Sequence, residues 1–119
     1  MGVSVLAAAS TREAAGSGLV WRTLDVVRVK GKERPVEVSE LLGRASEIGS
    51  PAREVAARYE EGLDLFRRRH FERAAENLGA LLRDTSGDPA AERLLGRARA
   101  YMADPPPDDW DGVSNFFEK

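Results

Sequence analysis

The hydrophobic pattern of this chain changes period near Gly43, and that change limits the fold more than any other feature. Upstream, β-branched and aromatic residues alternate with polar ones at the two-residue spacing of a strand. Downstream, apolar residues recur every three or four positions, the spacing of one helical face. Two periods in separate halves of 119 residues predict an α+β chain with its strands first.

Residues 3–8 make an apolar run of strand length. Ser10 and Glu13 then form a capping-box pattern, with Gly16 as the stop after one or two helical turns. Residues 20–30, rich in Val, Leu and Trp, read as a strand, 31–35 turn it, and 36–42 return. In the return strand Val36 and Val38 share one face while Glu37 and Ser39 share the other, as in a sheet covered on one side. In the longer strand Leu24 and Val26 lie on one face, Val27 and Val29 on the opposite one. Either both faces are covered there or a bulge shifts the phase. The first half is therefore predicted to be β-α-β-β.

Residues 44–50 read as a linker. Ser50 as N-cap and Pro51 at the first helical position open a helix with a stripe of Val55, Tyr59, Leu63 and Phe66. The next places Phe71, Ala74, Ala75, Leu78, Leu81 and Leu82 on one face, until Thr85-Ser86-Gly87 breaks it. Asp88-Pro89 starts a third, with Ala91, Leu94, Leu95, Ala98, Tyr101 and Met102. Short turns between stripes predict an antiparallel helical hairpin plus a third helix over 51–104. Residues 105–119 form a proline-rich and aromatic tail.

Charge and composition narrow the function. Eighteen Lys and Arg against twenty Asp and Glu leave a formal charge of −2, without the basic face of a nucleic-acid binder. With no cysteine and one histidine, disulfide frameworks, zinc-thiolate sites and His clusters are excluded. No apolar run approaches the roughly 20 residues of a membrane span, and the N-terminus lacks a secretory pattern. A cytoplasmic protein with no nucleic-acid or membrane partner is expected.

Two resemblances sharpen this. Gly62, Leu65, Ala74, Leu78 and Leu81 fall where a tetratricopeptide repeat places its small and apolar packing residues, and Pro89 opens what would be half of a second repeat. In the first half, Val3-Ser4-Val5-Leu6, Ser10-Thr11, Trp21-Arg22-Thr23-Leu24-Asp25, Val29-Lys30-Gly31-Lys32, Pro35-Val36-Glu37-Val38 and Glu40-Leu41 occur in that order. This resembles the last β-α-β-β stretch of class III nucleotide cyclase catalytic domains. The proline run, Trp110-Asp111-Gly112 and the terminal Lys119 are similar to the closing segment of bacterial members with a helical extension. The resemblance implies a fragment of a ferredoxin-like cyclase sheet over 1–43, followed by a tetratricopeptide-like tail.

Complete class III cyclases convert ATP to cyclic AMP, or GTP to cyclic GMP, with two metal ions, magnesium or manganese, held by paired aspartates. The resemblance places those aspartates, and the family's Asn-x-x-x-Arg element, upstream of Val3. Neither Asn77 nor Asn115 stands in that setting. The chain alone is thus expected to hold no cofactor, to have no catalytic residue and to make no cyclic AMP. One residue carries over: Lys30 matches a lysine that contacts nucleotide phosphates, so weak ATP binding is its implied role. The alternative for Lys30 is a solvated lysine at a hairpin.

The remaining candidates read blandly. Arg67, Arg68 and Arg69 are expected to be a solvated basic run, His70 an exposed turn residue, and Asp108, Asp109 and Asp111 an acidic tail lacking the calcium-loop pattern. Trp110, Phe116 and Phe117 are expected to fold back onto sheet or helices. Two functions compete: a truncated C-terminal part of a class III adenylate cyclase, or a non-enzymatic interaction module. Partners would be a second copy through an open sheet edge, or a protein on the helical tail. A thin sheet predicts exposed Val27 and Val29 and a first half less stable than the helices.

Overall fold

The computed structural model describes residues 5–28 and 34–115. The chain is α+β, in the order β1 (Leu6–Ala8), α1 (Ala9–Ala14), β2 (Leu19–Arg28), β3 (Val36–Arg44), α2 (Ser50–Arg67), α3 (Phe71–Asp84), α4 (Pro89–Ala103) and β4 (Ser114–Asn115). It divides into two compact units. One holds residues 1–56 and 113–119, the other residues 57–112. Residues 44–50, read above as a linker, hold the end of β3, a turn and the first residue of α2.

The first unit is built on one sheet in the order β1-β3-β2-β4. The first three strands are antiparallel, while β4 joins β2 in parallel, Val27 opposite Ser114. The β-α-β-β succession is as expected; β4 is an addition that two residues without a pattern could not announce. The register of β2 on β3 slips between Val20 and Trp21 and again between Thr23 and Asp25. The second slip leaves Leu24 as an extra residue and shifts the phase of β2. Val26 and Val27 are both buried, at 6% and 3% exposure. Both alternatives for this strand therefore hold together: a bulge, and two covered faces. Val27 is not exposed as expected, and Val29 lies outside the described residues.

Two further expectations change. Helix α1 is capped at Ala8, whose extended backbone (φ −75°, ψ 166°) leads straight from β1 into the helix with no side-chain cap bond. Ser10 consequently sits inside the first turn, two residues too late to act as the cap. Gly16 does stop this helix, at φ 89°, a conformation costly for any residue with a Cβ. Ser39, assigned to an open polar face, is completely buried. The Arg12 guanidinium crosses over it and donates to its hydroxyl.

The second unit follows its sequence closely. Tyr59, Leu63 and Phe66 from α2, Phe71, Ala74, Leu78 and Leu81 from α3, and Ala91, Leu94, Leu95 and Ala98 from α4 are buried. Met102, placed on the apolar stripe, is instead 48% exposed; it stands in the last turn of α4, one residue before the helix ends. Asp88 caps α4 by accepting from the Ala91 N–H, with Pro89 in the first turn. Gly62 explains the close approach of α2 and α3: a Cβ there would lie 2.8 Å from Leu78 Cδ2. Asn77, on the same face, donates to the Arg58 carbonyl at 2.9 Å and so ties one helix to the other.

Candidate functional site

Lys30, the one substrate-contacting residue carried over by resemblance, lies outside the described residues. The rest of the first unit still presents two organised polar groups, one on each face of the sheet.

On the face covered by α1, Thr23 and Ser39 are direct cross-strand neighbours. Arg12, from the last turn of the helix, reaches down and donates to Ser39 Oγ at 3.2 Å and Thr23 Oγ1 at 3.4 Å. Both bonds are long and come from the same guanidinium nitrogen. The helix is thus pinned by a cation resting on two hydroxyls. Beside this contact runs an open groove of about 570 Å³, lined by Ala9, Arg12, Glu13, Gly16, Ser17, Leu19, Trp21 and Glu37. Trp21 contributes a buried Nε1–H with no acceptor among the described residues.

On the opposite face, Arg22 and Glu40 are also cross-strand neighbours and form an ion pair. Arg22 donates through Nε at 3.2 Å and Nη2 at 2.7 Å to the same carboxylate oxygen. The side chains are 8% and 19% exposed, so the charges are largely desolvated. Such a pair adds little net stability, but removing one partner strands the other. Further along β2, Asp25 accepts from the Val26 N–H and from Ser114 Oγ, which joins the bulge to β4.

In the second unit the candidate residues serve the tail. Phe66, Phe71, Tyr101 and Trp110 meet with ring centroids 5.2–5.7 Å apart. The expectation that Trp110 folds back is met, and its site is the helical seam; Phe116 and Phe117 lie outside the described residues. The arginine run is not merely solvated. Arg67 donates to the Gly112 carbonyl, and Arg69 donates to the carbonyls of Pro106 and Pro107 while lying over the Trp110 ring. Only Arg68 behaves as expected, paired with Asp64 at 68% exposure. The partners of Arg67 and Arg69 stand about forty residues downstream, where no local pattern could reveal them. Arg69 is held at φ 70°, a left-handed backbone that its two carbonyl contacts help to fix. At Gly112, φ 79°, a Cβ would sit 2.9 Å from the Arg67 carbonyl oxygen, so the return path needs glycine. His70 is exposed, as expected.

Among the described residues, no group of three or more His, Cys, Asp or Glu is placed to hold a metal ion. Asp108, Asp109 and Asp111 make no such group. Among the same residues, no helix is long and apolar enough to cross a membrane. No family model, curated protein or solved structure matches the chain significantly.

Proposed function

We propose that this chain is the C-terminal part of a class III nucleotide cyclase with a helical extension, a piece that does not make cyclic AMP by itself. The observation that carries the reading is the first sheet. Its β-α-β-β succession, with the β2–β3 hairpin bracketing the Val29-Lys30-Gly31-Lys32 stretch, has the order that the resemblance implies for the end of such a domain. The tail supports it as well: the segment around Trp110-Asp111-Gly112 is packed on the helices and leads into β4, as an integral closing piece would be. Lys30 would then offer a compact positive charge to a polyphosphate at the hairpin end.

The interaction-module reading draws less support. A helical hairpin that binds a peptide needs a free apolar seam, and here Trp110 already fills the one between Phe66, Phe71 and Tyr101. Purified chain with ATP and magnesium or manganese is expected to yield no cyclic AMP, while ATP shifts the NMR signals of Lys30 and its neighbours. Product formation would contradict the inactivity. Absence of any ATP-dependent shift would remove the phosphate role and favour the module.

A further inference from the structure

The groove beside α1 has a charge arrangement that its packing role leaves unused. Arg12 bonds only to two hydroxyls, through one nitrogen, and makes no carboxylate ion pair among the described residues. A guanidinium carries five N–H donors, so most of its donor capacity stays open. Trp21, in the same groove wall, buries an indole N–H without an acceptor among the described residues. Arg12 thus carries donor capacity that no described protein group matches, and the shielded Trp21 N–H marks a polar spot left unpaired in the groove wall. Buried donors are ordinarily paired. The apolar part of the lining is Ala9, Leu19 and the Trp21 ring, and the volume of about 570 Å³ falls within the range of small-molecule sites.

We propose that this groove binds a small monocarboxylate with a flat apolar body, its carboxylate held by Arg12 and its body against Leu19 and Trp21. The two acidic residues in the lining decide the class of anion. Glu13 and Glu37 are exposed and outnumber Arg12 two to one. A polyphosphate would meet a net negative wall, whereas a single carboxylate can pair with the guanidinium in a fork and keep its distance from both glutamates. The site is separate from the Lys30 stretch and does not rest on the cyclase reading.

The test uses the full chain labelled with ¹⁵N and 3-phenylpropionate as probe, with 3-phenylpropylamine and ATP as controls. Trp21 and Trp110 each give one indole N–H signal, and Trp110→Phe assigns them. Phenylpropionate should move the Trp21 signal saturably, with half-saturation at about a few millimolar for so small a ligand, and leave Trp110 in place. Arg12→Gln should weaken binding by about tenfold or more, with the Arg22 and Glu40 amide signals reporting an intact sheet. Glu37→Gln should tighten it by about threefold or less. A Trp21 signal unmoved at roughly 20 mM, well above the expected half-saturation, would overturn the proposal. So would an equal response to the amine, a stronger response to ATP, or unchanged binding in folded Arg12→Gln. Should that variant not fold, the carboxylate-to-amine contrast and Glu37→Gln decide the outcome.

Discussion

The two units spend their residues differently. Of the fifteen buried apolar residues among those described, eleven belong to the helical unit and four to the sheet unit. The helical unit is held by a closed apolar and aromatic core, with arginines fastening its tail. The sheet unit is held by backbone ladders, a bulge and polar bridges such as Arg12 on Ser39 and Arg22 on Glu40. It also keeps β1 as an edge strand, where Leu6 and the preceding Val5 are more than half exposed. The described helices complete an apolar core of their own, whereas the described sheet keeps an edge strand and an open groove.

If that contrast is right, the largest effect should come from the aromatic seam. Phe66→Ala removes a side chain 1% exposed and in contact with three other rings, so urea denaturation should show a loss of about 3–5 kcal/mol in the helical transition. A loss below about 1 kcal/mol would mean that the seam is not the centre of that unit's stability. Next, Gly62→Val forces branched methyls into Leu78 and should cost about 1–3 kcal/mol in the same measurement. Arg69→Ala gives up two hydrogen bonds to proline carbonyls. It should cost about 1–2 kcal/mol and flatten the near-ultraviolet dichroism of Trp110. The smallest effect is expected at the edge. Leu6→Lys should change folding stability by no more than about 0.5 kcal/mol but lower any self-association seen by sedimentation at high concentration. A core-like loss there would show that β1 is not an open edge. Hydrogen exchange sharpens the same comparison: the Leu6 amide should exchange far faster than that of Leu78.

How much of this was legible in the sequence depended on the range of the cause. The three helices could be read because their stripes, the Asp88-Pro89 start and the Thr85–Gly87 break are all local signals. The hairpin could be read from its alternation, but the phase shift at Leu24 left two alternatives that only the pairing with β3 resolves. Ser10 misled because its pattern was a valid cap placed next to a strand that had already supplied one at Ala8. Arg67 and Arg69 misled because a basic run looks the same whether it faces water or a distant carbonyl. Of the candidate groove, Glu13 and Gly16 were legible only as helix signals, and Trp21 and Glu37 only as parts of a strand or of a family pattern. Neither an open guanidinium nor a lone indole N–H leaves any trace in residue spacing.

The parallel pairing of β4 with Val27 and Arg28 has a consequence for synthesis. Residues 114 and 115 leave the ribosome after every helix has been made, yet they belong beside a strand completed some eighty-five residues earlier. A nascent chain must therefore carry β2 with that flank bare while the whole helical segment emerges and folds. A premature stop codon near position 112 would spare all three long helices and still deprive β2 of its parallel neighbour.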